Sequence, residues 1–232
     1  VTSPRLLVLF DLDGTLVDPA GAITGGISSA LAACGLPVPS EADLHRMVGP
    51  SLMTSLRDIA GVPEDRLDAV IAHYRQGYRQ TGMGQSRPYP GIIGAVERLR
   101  REGTVAVATQ KPEHLAVELL GVQGMGDLFS SVHGSPADEL AAAALNGKAG
   151  IIRAALERHA GSYDLAVMIG DRRHDVEGAA ANGIDCIGVS WGFAADGELE
   201  AAGAAVVVDS AGELPDAVLG YTRNGAALHG SV

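Results

Sequence analysis

The chain is poor in aromatic residues, which make up 4% of its 232 positions, and it holds two cysteines. Its core must therefore be built from Ala, Val, Leu and Ile. Cys34 and Cys186 stand far apart with no metal-type spacing, which excludes a disulfide scaffold or a zinc module and predicts two reduced, buried thiols. Long apolar runs are also absent: none reaches the ~18 residues that cross a bilayer. The opening V-T-S-P-R-L-L-V-L-F-D loses its apolar character at Asp11 and shows no small-residue cleavage site. It does not read as a secretory signal, and a cytoplasmic protein is expected. Positive charge is short as well, with 17 Lys and Arg against 28 Asp and Glu and a net charge of -11. Polyanion partners need clustered basic residues. Arg98, Arg100 and Arg101 are the nearest thing to a cluster, and Glu97 and Glu102 flank them. Neither a nucleic acid polymer nor a membrane is expected as a partner. Lysine is the scarcest basic residue, found only at Lys111 and Lys148. A chain that otherwise uses arginine would place lysine where a compact point charge is needed.

What is present is a globular balance of 47% hydrophobic and 19% charged residues, enough to bury a substantial core. Five short apolar runs read as strands buried on both faces: 6–10 (L-L-V-L-F), 104–108 (T-V-A-V-A), 165–169 (L-A-V-M-I), 184–189 and 204–208. Helical periodicity fills most gaps between them, with Ile92, Ile93, Val96 and Leu99 in one and Ile151, Ile152, Ala155 and Leu156 in another. Strands alternating with helices predict an α/β fold, a doubly wound, Rossmann-like parallel sheet. Residues 18–86 break this rhythm. Ile23, Ile27, Ala30, Leu31 and Cys34 mark one amphipathic helix, Leu52, Leu56 and Ile59 a second, and Leu67, Val70, Ile71, Tyr74 and Tyr78 a third. The expected organisation is a core from 1–17 and 87–220, an all-helical inserted domain over 18–86, a surface loop over 134–147, and a mobile tail from 221 to 232.

Chemistry concentrates at the expected carboxyl ends of the strands, where open α/β sheets bind ligands. The first strand ends in D-L-D-G-T, placing Asp11 and Asp13 on one side of the extended chain. Two carboxylates so close repel unless a proton or cation intervenes. A turn after a strand would use the same residues, but the third long strand also ends in acids. There M-I-G-D-R-R-H-D supplies Asp171 and, one helical turn on, Asp175. Helix capping would account for this pair taken alone. Two strand ends that both carry acids suggest an oxygen-rich site suited to Mg2+. The second strand runs into Thr109, Gln110 and Lys111, and Lys148 opens a later helix.

In order and spacing, D-L-D-G-T at 11–15, Thr109, Lys148 and G-D-R-R-H-D at 170–175 resemble the haloacid dehalogenase-like (HAD) hydrolase superfamily, in its phosphatase branch. The likeness spans most of the chain. V-G-P-S-L (48–52), Y-P-G-I (89–92) and A-T-Q-K-P (108–112) are most similar to phosphoglycolate-phosphatase-like and 5′-nucleotidase-like members. One departure is Gln110, where relatives often carry Ser or Asn. The resemblance implies a helical cap in the insertion and a Mg2+-dependent phosphatase acting on a small-molecule phosphate monoester, as a monomer or homodimer.

The same resemblance implies individual roles. Asp11 would be the nucleophile and Asp13 the general acid and base. Mg2+ would be held by Asp11, the main-chain oxygen of Asp13, and Asp171, with Asp175 behind them. Thr109, Lys148 and the chain at Leu12, Gly14 and Thr15 would stabilise the phosphoryl group. Gln110, Lys111, Arg46 and Gly49 would lie near the substrate, while Trp191 and Phe193 read as packing. A dehalogenase is disfavoured because it needs neither Asp13 nor a metal. A phosphonate-cleaving relative would use a lysine of the inserted region, and 18–86 contains none. A sugar-phosphate mutase would share the whole core, and a catalytically silent binding module would be expected to lack one of the acids.

Overall fold

The computed structural model describes residues 4–19, 21–137 and 145–225. Six parallel strands form the main sheet: β1 (Leu6–Phe10), β4 (Gly103–Pro112), β5 (Val132–Ser135), β6 (Leu165–Gly170), β7 (Asp185–Val189) and β8 (Val206–Val208). Their order across the sheet is β5-β4-β1-β6-β7-β8. The chain winds outward from β1 through β4 to β5, then returns to the other side of β1 at β6. This reversal opens a crevice between the carboxyl ends of β1 and β6.

Side-chain alternation along the strands makes two cores. Leu6, Val8, Phe10, Val107 and Ile169 face one way, against α6 (Ile92–Glu102), α7 (Glu113–Val122) and α11 (Leu214–Gly225). Leu7, Leu9, Ala108 and Met168 face the other way, against α8 (Gly147–Arg158), α9 (Arg173–Ala180) and α10 (Glu198–Ala202). Both faces are covered, which is why the strands read as continuous apolar runs rather than alternating ones.

The expected strands all form. The edge strand β5 was not legible, because V-H-G-S offers a single apolar residue. It takes up 134–135, the start of the expected surface loop, and 138–144 of that loop lie outside the described residues. Residues 221–225 of the expected tail belong to a helix. Helix α11 continues to Gly225 because Leu214 and Val218 are buried and Tyr221 packs on the same core. Residues 226–232 lie outside the described residues. Cys186 is buried, Cys34 is half-buried, and both are free thiols. Among the described residues no helix is long and apolar enough to cross a membrane.

Between β1 and β4 the chain forms α1 (Ala22–Ala33), α2 (Glu41–Arg46), α3 (Leu52–Asp58), α4 (Glu64–Gly77), a π-helical turn (Tyr78–Gly82) and the short α5 (Met83–Gln85). The three helices read from periodicity are present. Helix α2 escaped that reading because it buries only Leu44; its start is set by Ser40, whose hydroxyl accepts from the Asp43 amide at 3.2 Å. A two-stranded antiparallel ribbon, β2 (Val17–Asp18) with β3 (Arg87–Pro88), carries the chain out to these helices and back.

Candidate active site

Asp11 continues β1 by one residue, its amide donating to the Ile169 carbonyl of β6 at 2.9 Å. The adjoining turn is tight. Gly14 has φ 88°, a conformation that favours glycine, and a Cβ there would come within 2.2 Å of the Asp171 carboxylate. The missing side chain lets the two strand ends approach. Thr15 donates from its hydroxyl to Asp171 Oδ1 at 3.1 Å, and the Phe193 amide donates to Asp171 Oδ2 at 2.8 Å. Gly192 is a second close approach, where a Cβ would lie 2.3 Å from Asp171 Cβ.

Lys148 is brought in from the start of α8 with its side chain 4% exposed, and its ammonium lies 2.6 Å from both Asp11 Oδ1 and Asp175 Oδ1. The other oxygen of Asp175 accepts from the Arg172 amide at 3.0 Å. Carboxylate oxygens of Asp11, Asp171 and Asp175 lie within 4.8 Å of one another. Burial works against the charge of Lys148, but Asp11 and Asp175 outweigh it and hold its pKa above the ordinary value. Burial, then repulsion from Asp11 and Asp175, pushes Asp171 well above the carboxylate range. Burial also pushes Asp175 up to about 6, against the pull of Lys148. One ammonium among three buried carboxylates leaves excess negative charge, the condition that a divalent cation relieves. The donor set therefore fits a hard metal ion.

The carboxylate of Asp13 turns away from this cluster. Its Oδ2 accepts from Lys111 Nζ at 2.8 Å, and its buried Oδ1 has no hydrogen-bond partner among the described residues. Lys111 sits 4.4 Å from the centroid of the Tyr78 ring, which stacks on Tyr74. Burial disfavours its charge, but Asp13 outweighs that and raises its pKa. Asp11, Asp13, Thr109, Gln110 and Lys111 line one cavity, closed on its far side by Ile23, Ile27, Met47–Leu52, Tyr74 and Tyr78.

Several expected site residues take other positions. Arg46 does not line the cavity; its side chain is 69% exposed and pairs with Asp43 at 3.0 Å, three residues back on α2. The amides of Gly14 and Thr15 are engaged within the turn, donating to Val17 O at 2.9 Å and Leu12 O at 3.3 Å, and both residues lie against Asp171. Leu12 has a fully buried side chain, which leaves only its main chain to the site. Thr109 is buried beside the cavity and its hydroxyl accepts from the Lys111 amide at 3.2 Å. Gln110 and Gly49 meet each other, Nε2 donating to the Gly49 carbonyl at 2.7 Å. Trp191 does more than pack, its indole N–H donating to the Thr15 carbonyl at 3.2 Å. Arg172, Glu198 and the Phe193 amide were not foreseen. The consecutive arginines after Asp171 were the one available signal for the first of them.

The strand order and the cluster of Asp11, Asp171 and Asp175 with Lys148 at the carboxyl ends of β1 and β6, beside a cavity walled by helices, set the class: a doubly wound α/β protein with a candidate metal site at the sheet's reversal point. A model of the haloacid dehalogenase-like hydrolase family matches residues 8–189, and the chain belongs to that family. It is 37% identical over 195 residues to a 5′-nucleotidase of Pseudomonas aeruginosa, covering 84% of this chain and 86% of the relative. It is 38% identical to the tyrosine-protein kinase PtkA of Mycobacterium tuberculosis, over 82% of this chain and 64% of that one, and 32% identical to a phosphoglycolate phosphatase of Agrobacterium fabrum, over 81% of each. Among solved structures it superimposes on a predicted phosphatase from Clostridium acetobutylicum with a TM-score of 0.83 and 33% identity, covering 94% of this chain and all of the other.

Proposed function

We propose that this phosphatase-class enzyme hydrolyses a small-molecule phosphate monoester by way of a phosphoryl group carried briefly on Asp11. The observation that carries the reading is that Asp11, which lines one cavity with Asp13 and Thr109, also pairs with Lys148 and lies within 4.8 Å of Asp171 and Asp175.

Asp11 attacks phosphorus with one carboxylate oxygen while Lys148 holds the other end of the group in place. Asp13 gives a proton to the leaving alcohol, then takes one from the water that cleaves the acyl phosphate. Its unpartnered Oδ1 is the atom available for that exchange, and Lys111 fixes its orientation through Oδ2. Thr109 and Lys148 meet the charge on the phosphoryl oxygens. Asp11 and Asp171, with the main-chain oxygen of Asp13, would hold Mg2+, and Asp175 would support them from behind. Bound there, the cation would offset the repulsion between carboxylate and phosphate, about 4 kcal/mol for unit charges at ~4 Å and an effective dielectric of 20. The helices over 18–86 act as a cap that excludes water while the phosphoryl group is in transit.

The test is Mg2+-dependent release of phosphate from p-nitrophenyl phosphate. Asp11→Asn should fall below a few per cent of wild-type turnover with its fold intact by circular dichroism. Activity above that level removes Asp11 as nucleophile, and no release from wild type at any metal concentration favours a binding role. The likeness to PtkA keeps a second reading open, transfer to an acceptor other than water. Free phosphate released in equal amount to alcohol, with one substrate present, excludes it.

A further inference from the structure

Two core side chains grip the loop 47–51, which joins α2 to α3 and forms part of the cavity wall. Gln110 lies where β4 slips register against β5, between Ala108 and Pro112. Such irregularities re-aim side chains next to active sites. Its own carbonyl is pinned by the Ser135 hydroxyl at 3.0 Å, and its amide reaches across to the Gly49 carbonyl at 2.7 Å. On the other side Arg172, 8% exposed, donates from Nη1 to the Val48 carbonyl and from Nε to Glu198 Oε1 at 2.9 Å. Glu198 is itself fixed by the amides of Arg173 at 3.0 Å and Ala195 at 3.1 Å. The loop fits around the guanidinium: Gly49 has φ 109°, and a Cβ there would approach Arg172 Cγ to 3.1 Å. The buried Ser55 hydroxyl of α3 donates to the Met47 carbonyl at 3.2 Å, which ties the loop to its own helices.

From these contacts we propose that Gln110 and Arg172 are positioning residues, a two-point clasp that sets how much of the time the 47–51 loop closes the cavity. Each stands one residue beyond a group of the site, Gln110 after Thr109 and Arg172 after Asp171, so the loop's position is reported directly to the phosphoryl and metal ends of the crevice. When the loop leaves, both side chains lose an acceptor, whereas the pair between Arg172 and Glu198 survives. The clasp thus favours closure without leaving a buried charge unpaired in the open state. Its kinetic consequence rests on the phosphatase reading; its existence does not.

Amide hydrogen exchange on the full chain, free of ligand, tests the clasp. In Gln110→Met, which keeps length and loses the donor, the hydrogen-bonded amides of the loop, Met47 and Val48, should exchange about 3- to 10-fold faster, as for loss of one neutral hydrogen bond. In Arg172→Lys, which loses the two-way fork, the gain should be about 10-fold or more. Strands β1 and β6 should exchange as in wild type. The KM for p-nitrophenyl phosphate should rise by the factor by which the closed fraction falls, which is smaller than the exchange factor as long as the closed loop predominates, while kcat falls less than twofold. Unchanged exchange at Met47 and Val48 in both variants overturns the proposal, as does acceleration spread equally over the sheet. If wild type releases no phosphate, the exchange result still decides the clasp and the phosphatase reading alone fails.

Discussion

Lys148 divides one charge between Asp11 and Asp175, and Asp171 has none of it, so the ionisation of this trio is tied to the fold. Asp175 favours its neutral form when folded, with a value near 6 against an ordinary 3.8. The sign follows. The stability this group contributes is complete below the unfolded value near 4 and is lost as pH rises through about 6, on the order of 1–3 kcal/mol. In urea unfolding with EDTA between pH 4.5 and 7.5, wild type should lose stability relative to Asp175→Asn, whose amide does not titrate. Parallel curves contradict the assignment. At this scale the sequence displayed Asp11, Asp13, Lys148, Asp171 and Asp175, because each sits just past a strand or at a helix start, and Thr109, because the apolar run of β4 stops before it although the strand continues to Pro112. It did not display what Asp13 touches. Lys111 lies 98 residues away, and the pairing exists only because β4 lies beside β1. Nor did it display that Arg46 pairs with Asp43 on its own helix instead of lining the cavity.

The turn after β1 is the element on which the site is built. Gly14 has a backbone that resists a side chain and no room for one, because Asp171 fills the space a Cβ would take. Gly14→Ala should cost about 1–3 kcal/mol of backbone strain and displace the Asp171 carboxylate. A displacement of about 1 Å is enough for a 100-fold loss in kcat/KM, to be read with p-nitrophenyl phosphate, and weaker Mg2+ binding should accompany it in calorimetric titration. Wild-type metal affinity in the variant would sink this account. Buried strands and amphipathic helices were legible because burial imposes a period. β5, α2 and the β2–β3 ribbon were not, since a polar edge strand, a helix with one buried residue and two-residue strands leave almost no period to read.

Across the whole molecule, the reversal of winding between β1 and β6 gathers residues from both ends of the chain into one crevice. Metal binding should therefore stabilise the entire fold. At a Mg2+ concentration about 100 times its Kd, linkage supplies roughly 2.7 kcal/mol, or about 5–10 °C in Tm for a chain of this size. Thermal scans with Mg2+ and with EDTA should differ by that amount in wild type and hardly at all in Asp171→Asn; equal shifts in both would place the cation elsewhere.

The β2–β3 ribbon has a consequence for how such a molecule can change. Val17 lies opposite Pro88 and Asp18 opposite Arg87, so the stretch between them leaves and rejoins the core at adjacent points. Another roof, longer, shorter or differently lined, needs only to start and finish at those same two neighbours. The residues proposed to act on the phosphoryl group lie outside this detour, whereas most of the opposite cavity wall lies inside it. Selectivity can thus be rewritten by exchanging one continuous stretch of gene at two junctions, with the reactive floor inherited unaltered.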